Sequence, residues 1–106
     1  MKSVDLSHKD KQIIVATVIN AFNQAVAHKK LVQLSRNTMK NNIDDDLMIM
    51  TINEAISHCS HHTRLIIENE FIAKKPRGWH EAYFSRSSYY RYCNQALDEF
   101  IANLNL

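Results

Sequence analysis

Near the end of the chain, Tyr89, Cys93, Ala96, Leu97, Phe100 and Leu104 recur at spacings of three and four. That period predicts a helix with one apolar face. Ser85 stands where its hydroxyl can accept a bond from a free amide of the first turn, so it is the expected N-cap. The opposite face of the first two turns carries Arg86, Ser87, Tyr90, Arg91 and Asn94, all able to donate to phosphate or to base edges. A helix that is donor-rich outside and apolar inside over its N-terminal half is what a recognition helix requires.

The same reading upstream yields further helices. Ser7-His8-Lys9-Asp10 fits a capping box, and the helix it opens places Ile14, Val18, Ala21, Phe22 and Ala25 on one face. This helix is expected to reach at least Ala27, with Lys29 and Lys30 suiting its negative pole. Leu31, Val32 and Leu34 either extend it or begin a second short helix. Residues 35–43, with asparagines at 37, 41 and 42, form the expected linker, because asparagine competes with helical hydrogen bonds. Asp44-Asp45-Asp46 then reads as a helix start.

A helix over about 47–58 is predicted to turn Met48, Ile49, Ile52, Ala55, Ile56 and Cys59 inward. Another, over about 61–73, is predicted to bury Leu65, Ile66, Phe71 and Ile72. Lys74-Lys75-Pro76-Arg77-Gly78 holds the chain's only proline and glycine and breaks the pattern. Trp79, Tyr83 and Phe84 follow as a short apolar segment. Trp79 is expected as a core anchor rather than a base-stacking platform. Tyr89 has the core register and Tyr90 does not.

These elements sum to an all-α fold of about five helices in a single domain over residues 1–106. Residues 1–35 are an N-terminal helical arm, and 44–106 are a bundle with a C-terminal helix-turn-helix. Ile13, Val15, Ile19 and Val26 widen the apolar stripe of the first helix beyond what one packing partner needs, which predicts a homodimer through residues 8–28.

Composition adds a few bounds. Apolar content of 45% and charged content of 23% are ordinary for a globular fold. No apolar run has the length of a membrane span, and the N-terminus lacks the layout of a signal peptide. Cys59 and Cys93 give no disulfide framework and read as reduced thiols of a cytoplasmic protein. Net charge is only +2, but it is unevenly placed. Residues 36–73 carry a net of −3, whereas 74–95 carry Lys74, Lys75, Arg77, Arg86 and Arg91 against Glu81 alone. Positive charge is thus concentrated around the proposed contact helix, as recognition of phosphate requires.

Other chemistry is weakly signalled. His58-Cys59-Ser60-His61-His62 places two histidines and a thiol close together, but a structural zinc site needs a second pair, so no metal is expected. The triple aspartate lacks the glycine and further acids of a calcium loop. No glycine-rich phosphate loop, catalytic carboxylate pair or nucleophile-with-base motif appears, so neither a cofactor nor an enzyme is expected.

Ser85-Arg86-Ser87-Ser88-Tyr89-Tyr90-Arg91-Tyr92, with Ala96-Leu97 following, resembles the last helix of sigma-factor region 4. It is more similar still to phage transcriptional regulators of the ArpU type, which carry a Ser-x-x-x-Tyr-Tyr-Arg run there. Arg64-Leu65-Ile66-Ile67 with Phe71 resembles the helix that precedes the helix-turn-helix in that group. The resemblance covers residues 46–104. Tyr83 stands where the group usually has glycine, and Gly78-Trp79 where an Ile-Ala pair would pack, so the first helix of the motif is expected to be short or distorted.

The resemblance implies a sequence-specific DNA-binding transcriptional regulator. Arg86, Ser87, Ser88, Tyr90, Arg91 and Asn94 would meet the groove of duplex DNA, and Lys74, Lys75 and Arg77 its backbone. RNA polymerase is a further partner on this reading. The alternative is a helical protein–protein interaction module, in which exposed Tyr and Arg meet a protein partner. RNA binding would differ by its preference for single strands or stems.

Overall fold

The computed structural model describes residues 6–34 and 43–104. All of its regular structure is helical. Helix α1 runs His8–Leu34, α2 runs Ile43–Ser57, α3 runs His61–Ile66 and α4 runs Arg86–Asn103. The helix of α3 continues as a π-helical turn over Ile67–Ile72, and a 3-10 turn over Trp79–Ala82 precedes α4. There are therefore four helices among the described residues, not about five. Leu31 to Leu34 extend α1 instead of starting a new helix, and the segment before α4 is too short to count as one. The predicted linker over 35–43 lies, but for Ile43, outside the described residues.

Local capping explains where α1 and α4 begin. The Asp10 amide donates to the Ser7 hydroxyl at 3.1 Å, and the Ser88 amide donates to the Ser85 hydroxyl at 3.2 Å. Each bond satisfies an amide that the first turn leaves without a partner. Three aspartates occupy the first turn of α2. Of these, Asp45 meets His28 and Asp46 pairs with Lys29 at 2.7 Å, tying the start of α2 to the end of α1.

The main core lies between α1, α2, the π turn and the C-terminal half of α4. Val15, Ile19, Phe22, Ile52, Ile56, Ile67, Leu97 and Phe100 are buried there, with Phe100 fully enclosed. Burial on α1 is centred one residue later than predicted. Val15, Ile19, Phe22 and Ala25 are buried, whereas Ile14, Val18 and Ala21 are only half-buried. Val15, Ile19, Phe22 and Ala25 of the stripe proposed for a dimer are thus used inside the fold, whereas Ile13 and Val26 stay exposed. On α2, Ile52, Ala55, Ile56 and Cys59 are buried as expected, with Met48 and Ile49 packed beside them.

A second, smaller cluster of Ile66, Phe84, Tyr89 and Ala96 sits under the N-terminal half of α4, with Leu65, Trp79, Tyr92 and Cys93 around it. This cluster fixes the orientation of the candidate interface. Glu99 ties the two halves together. Its carboxylate accepts from the Ser60 amide at 3.0 Å and the Ser60 hydroxyl at 2.9 Å, so a side chain of α4 caps the positive end of α3. Hydrogen bonds from Thr63 and Ser60 hold the Glu99 carboxyl below its ordinary range.

The sign of that shift makes a pH prediction. A carboxylate favoured in the folded state contributes stability above its ordinary pKa of 4.5 and loses it as the pH falls through the folded value. Glu99→Gln should therefore cost about 1 kcal/mol at pH 7, allowing for partial exposure. Denaturant titrations of both proteins should converge as the pH is lowered into and below the carboxylate range.

The exit from the π turn carries a non-glycine residue in left-handed backbone. Lys74 has φ 52°, and the Lys75 amide beyond it bonds the Asn69 carbonyl at 2.9 Å, a closure one residue wider than the one that ends many α-helices. A Cβ in this conformation costs about 1–2 kcal/mol. Lys74→Gly is expected to leave stability unchanged or raise it by up to about 1 kcal/mol, since glycine's extra freedom when unfolded offsets part of the relief. Lys74→Ile should lower it. Chemical denaturation compares the three.

Candidate nucleic-acid interface

The turn before α4 is built by the chain's only proline and glycine. The Trp79 amide closes onto the Pro76 carbonyl at 3.2 Å, and Gly78 takes φ 91°, ψ 0° inside the turn. That conformation at the third turn position favours glycine. The turn carries Lys75 and Arg77 to the surface and delivers Trp79 to the small core.

Trp79 is anchored at its polar end as well. Its Nε1 donates to Glu70 Oε1 at 2.7 Å, and the Tyr89 hydroxyl donates to the same oxygen at 3.2 Å. The Tyr89 ring is stacked on His80 at 3.7 Å, and meets Trp79 edge-on at 6.0 Å. Burial is the main cause that pushes the Tyr89 phenol far above its ordinary pKa, with Cys93 and Glu70 adding to it. Tyr89 therefore stays protonated and serves as a donor and a packing group. His80 Nδ1 is buried and finds no hydrogen-bond partner among the described residues.

With Tyr89 fixed inward, helical geometry aims its neighbours outward. Arg86, Ser87, Tyr90, Arg91 and Asn94 are all exposed, Tyr90 at 66%. Ser88 is only half-buried, with its amide engaged by the Ser85 cap. Arg86 joins Lys75, Arg77 and Tyr90 along one groove of about 570 Å³, which Glu70, Glu81 and His80 also line. Arg91 lies five residues on, about 140° around the helix. Its guanidinium sits 5.5 Å over the Tyr92 ring, and the other contacts of that ring include a stack with His62 at 4.2 Å. The predicted residues are therefore not one cluster. Arg86, Tyr90, Lys75 and Arg77 share a groove, Ser87, Arg91 and Asn94 lie on the outer side of the helix, and Lys74 is exposed away from the groove lining.

The ion pairs among the described residues are Lys11–Asp98, His28–Asp45, Lys29–Asp46 and His58–Glu54. None of them includes Lys74, Lys75, Arg77, Arg86 or Arg91. These five cations thus stand in solvent without a carboxylate partner among the described residues, whereas the bundle's lysines at 11 and 29 are used to join helices.

The histidine–cysteine segment is disposed otherwise. Cys59 is buried, its thiol donating to the Ala55 carbonyl at 3.2 Å and meeting the Asn103 amide, while His58 Nδ1 lies 2.9 Å from the Glu54 carbonyl and His62 is stacked on Tyr92. Burial pushes the thiols of both Cys59 and Cys93 up, and both cysteines are free. Among the described residues no group of three His, Cys, Asp or Glu is placed to share a metal ion. No helix among them is long and apolar enough to cross a membrane.

Sequence reasoning missed Glu70 and His80, which position the site through Trp79 and Tyr89. The partners of Glu70 are nine and nineteen residues away, so no local spacing pointed to it. Compared with protein-family models, with curated proteins and with solved structures, the chain has no match in any of the three.

Proposed function

We propose that the N-terminal half of α4, with the Lys75–Arg77 turn beside it, is a surface for duplex DNA, and that the protein acts in transcription control. The observation that carries this reading is a groove where three unpaired cations, Lys75, Arg77 and Arg86, share the lining with exposed Tyr90, beside a helix whose inner face is locked by Tyr89, Ala96 and Leu97 and whose outer side carries unpaired Arg91. On this reading the 3-10 turn Trp79–Ala82 stands in for the first helix of a helix-turn-helix, residues 83–85 form its turn, and α4 is the recognition helix. Glu70 and Glu81 line the same groove, so on this reading phosphate is met by Lys75, Arg77 and Arg86 against two carboxylates.

A duplex that engages all five cations releases the counterions they replace. The slope of log affinity against log salt is then about −4 to −5, a loss of roughly 250- to 1,000-fold between 50 and 200 mM salt. Fluorescence anisotropy with a random 30-base-pair duplex tests this, followed by selection of bound sequences. A flat salt response, or equal affinity for single-stranded RNA, would overturn it.

A second reading, a helical module for a protein partner such as RNA polymerase, is favoured by one observation. Tyr83 and Tyr90, at 58% and 66% exposure, stand at either end of the Phe84–Tyr89 segment, and exposed tyrosine with arginine is the composition of binding hot spots. The salt titration separates the two, since a protein partner is under no obligation to show a steep slope.

Two DNA-reading surfaces would gain from two-fold pairing over two half-sites. Because Val15, Ile19 and Phe22 are buried within the fold, residues 8–28 can offer a second copy only their outward face.

A further inference from the structure

The bundle keeps an open cleft on the side where the start of α1 passes the first half of α4. Its volume is about 480 Å³, within the roughly 300–1,000 Å³ that small-molecule sites occupy. Sequence spacing explains why the two helices do not close on each other there. On α1, His8, Gln12 and Ala16 follow at intervals of four and share one strip, beside the strip that carries Val15 and Ile19 into the core. On α4, Tyr89, Cys93 and Leu97 do the same. Ala16 and Cys93 are too small to reach across, so the two strips form the walls of a cleft. The Lys11–Asp98 ion pair at 2.6 Å ties α1 to α4 nearby.

The walls and the rim differ in chemistry. Ile66, Tyr89 and Leu97 are buried in the walls, and Phe71 and Cys93 are half-buried beside them. Exposed Arg77 stands on the rim, and it has no carboxylate partner among the described residues. There the cleft adjoins the cationic groove, with which it shares Glu70, Arg77, Tyr89 and Tyr90. Together the two hold the cations Lys75, Arg77 and Arg86 against the carboxylates Glu70 and Glu81, one positive charge in excess. Glu70 already accepts from Trp79 and Tyr89 through one oxygen.

We propose that this cleft binds a small aryl monocarboxylate, its ring between α1 and α4 and its carboxylate on the Arg77 guanidinium. Phe71, Tyr89 and Tyr90 supply aromatic surface, on which a ring packs by stacking or edge contact. The guanidinium offers a planar fork of donors that matches a carboxylate with two parallel bonds. Other ligand classes fit less well. An amine would stand against three cations, and a polyanion would stand against Glu70 and Glu81. The assignment needs nothing from the duplex reading, and its test contains no DNA. Where both hold, the bound carboxylate occupies a cation of the DNA surface, and the cleft is an effector site.

Naphthoate titrated into the isotope-labelled native chain, followed by amide NMR shifts, tests the proposal. Saturable shifts are expected at Ala16, Arg77 and Cys93, with a Kd of about 0.1–1 mM, the range open to a ligand of about thirteen non-hydrogen atoms. The matching naphthyl alcohol should bind about fivefold more weakly, and the naphthyl amine about twentyfold. Arg77→Gln should weaken naphthoate about tenfold and leave the fold intact, because Arg77 is exposed and outside both core clusters. Ala16→Met lengthens a wall side chain into the cleft and should weaken it by a similar factor, with circular dichroism reporting the fold. No saturable shift up to about 5 mM naphthoate, or shifts that saturate elsewhere on the chain, would overturn the proposal. So would an amine or alcohol that binds as tightly as the carboxylate, or a folded Arg77→Gln or Ala16→Met variant that binds like the native chain.

Discussion

Tyr89→Ala is expected to lower the stability of the folded chain by about 3–5 kcal/mol, the usual cost of emptying an aromatic site in a core. The ring is 8% exposed and touches His80, Trp79 and Phe84, three of the side chains that shape the base of α4. Its hydroxyl also holds Glu70, which in turn holds Trp79. A domain of this size has only about 5–15 kcal/mol in hand, so the melting temperature should fall by roughly 15–30 °C. Tyr89→Phe removes the hydroxyl alone and should cost about 1 kcal/mol, because Glu70 is exposed and water can replace the lost donor. Tyr90→Ala should leave the melting temperature within a few degrees and weaken duplex binding instead. Calorimetry on the three variants checks the register of α4 directly. An unstable Tyr90 variant with a stable Tyr89 variant would mean that the helix is rotated and the contact surface misassigned.

That register was legible because two independent local signals agreed, a serine cap at Ser85 and an apolar period running to Leu104. On α1 the same method slipped by one residue. Ile13, Ile14 and Val15 are consecutive and all apolar, as are Val18 and Ile19, so spacing alone fits more than one rotation. Contacts with Ile52 and Phe100, far away in the chain, select the face centred on Val15 and Ile19. The π turn over Ile67–Ile72 had no visible signal either. Within it Asn69 is buried and its amide donates to the Leu65 carbonyl at 2.7 Å, a side-chain bond that competes with the helical ladder. The expected count of helices failed for a related reason. Trp79 to Ala82 are drawn into a single 3-10 turn because Trp79 is held back on Glu70, leaving no length for a full helix. For the candidate site, the cations and the outward tyrosine were readable from helical spacing, whereas the groove that separates Arg86 from Arg91 depends on the turn at Gly78 and on no periodic pattern.

The separation of the two arginines sharpens the binding prediction. Arg86 faces the groove beside Lys75 and Arg77, and Arg91 lies over Tyr92 on the other flank, so one duplex would meet them at different places along its groove. Contacts that share no partner are expected to add. Each well-formed arginine–base pairing contributes about 1–3 kcal/mol of discrimination, so Arg86→Ala with Arg91→Ala should weaken binding to a selected duplex by roughly 30-fold to more than 10,000-fold. Both side chains are exposed and outside either core cluster, so circular dichroism and the melting temperature should be unchanged. The two single variants separate base reading from phosphate contact. An arginine that reads a base loses preference for the selected sequence over a random one, whereas one that meets phosphate weakens both equally and reduces the salt slope by about one. A folded double variant that binds the selected duplex as tightly as the native chain would remove α4 from the interface, and leave the exposed tyrosines to a protein partner.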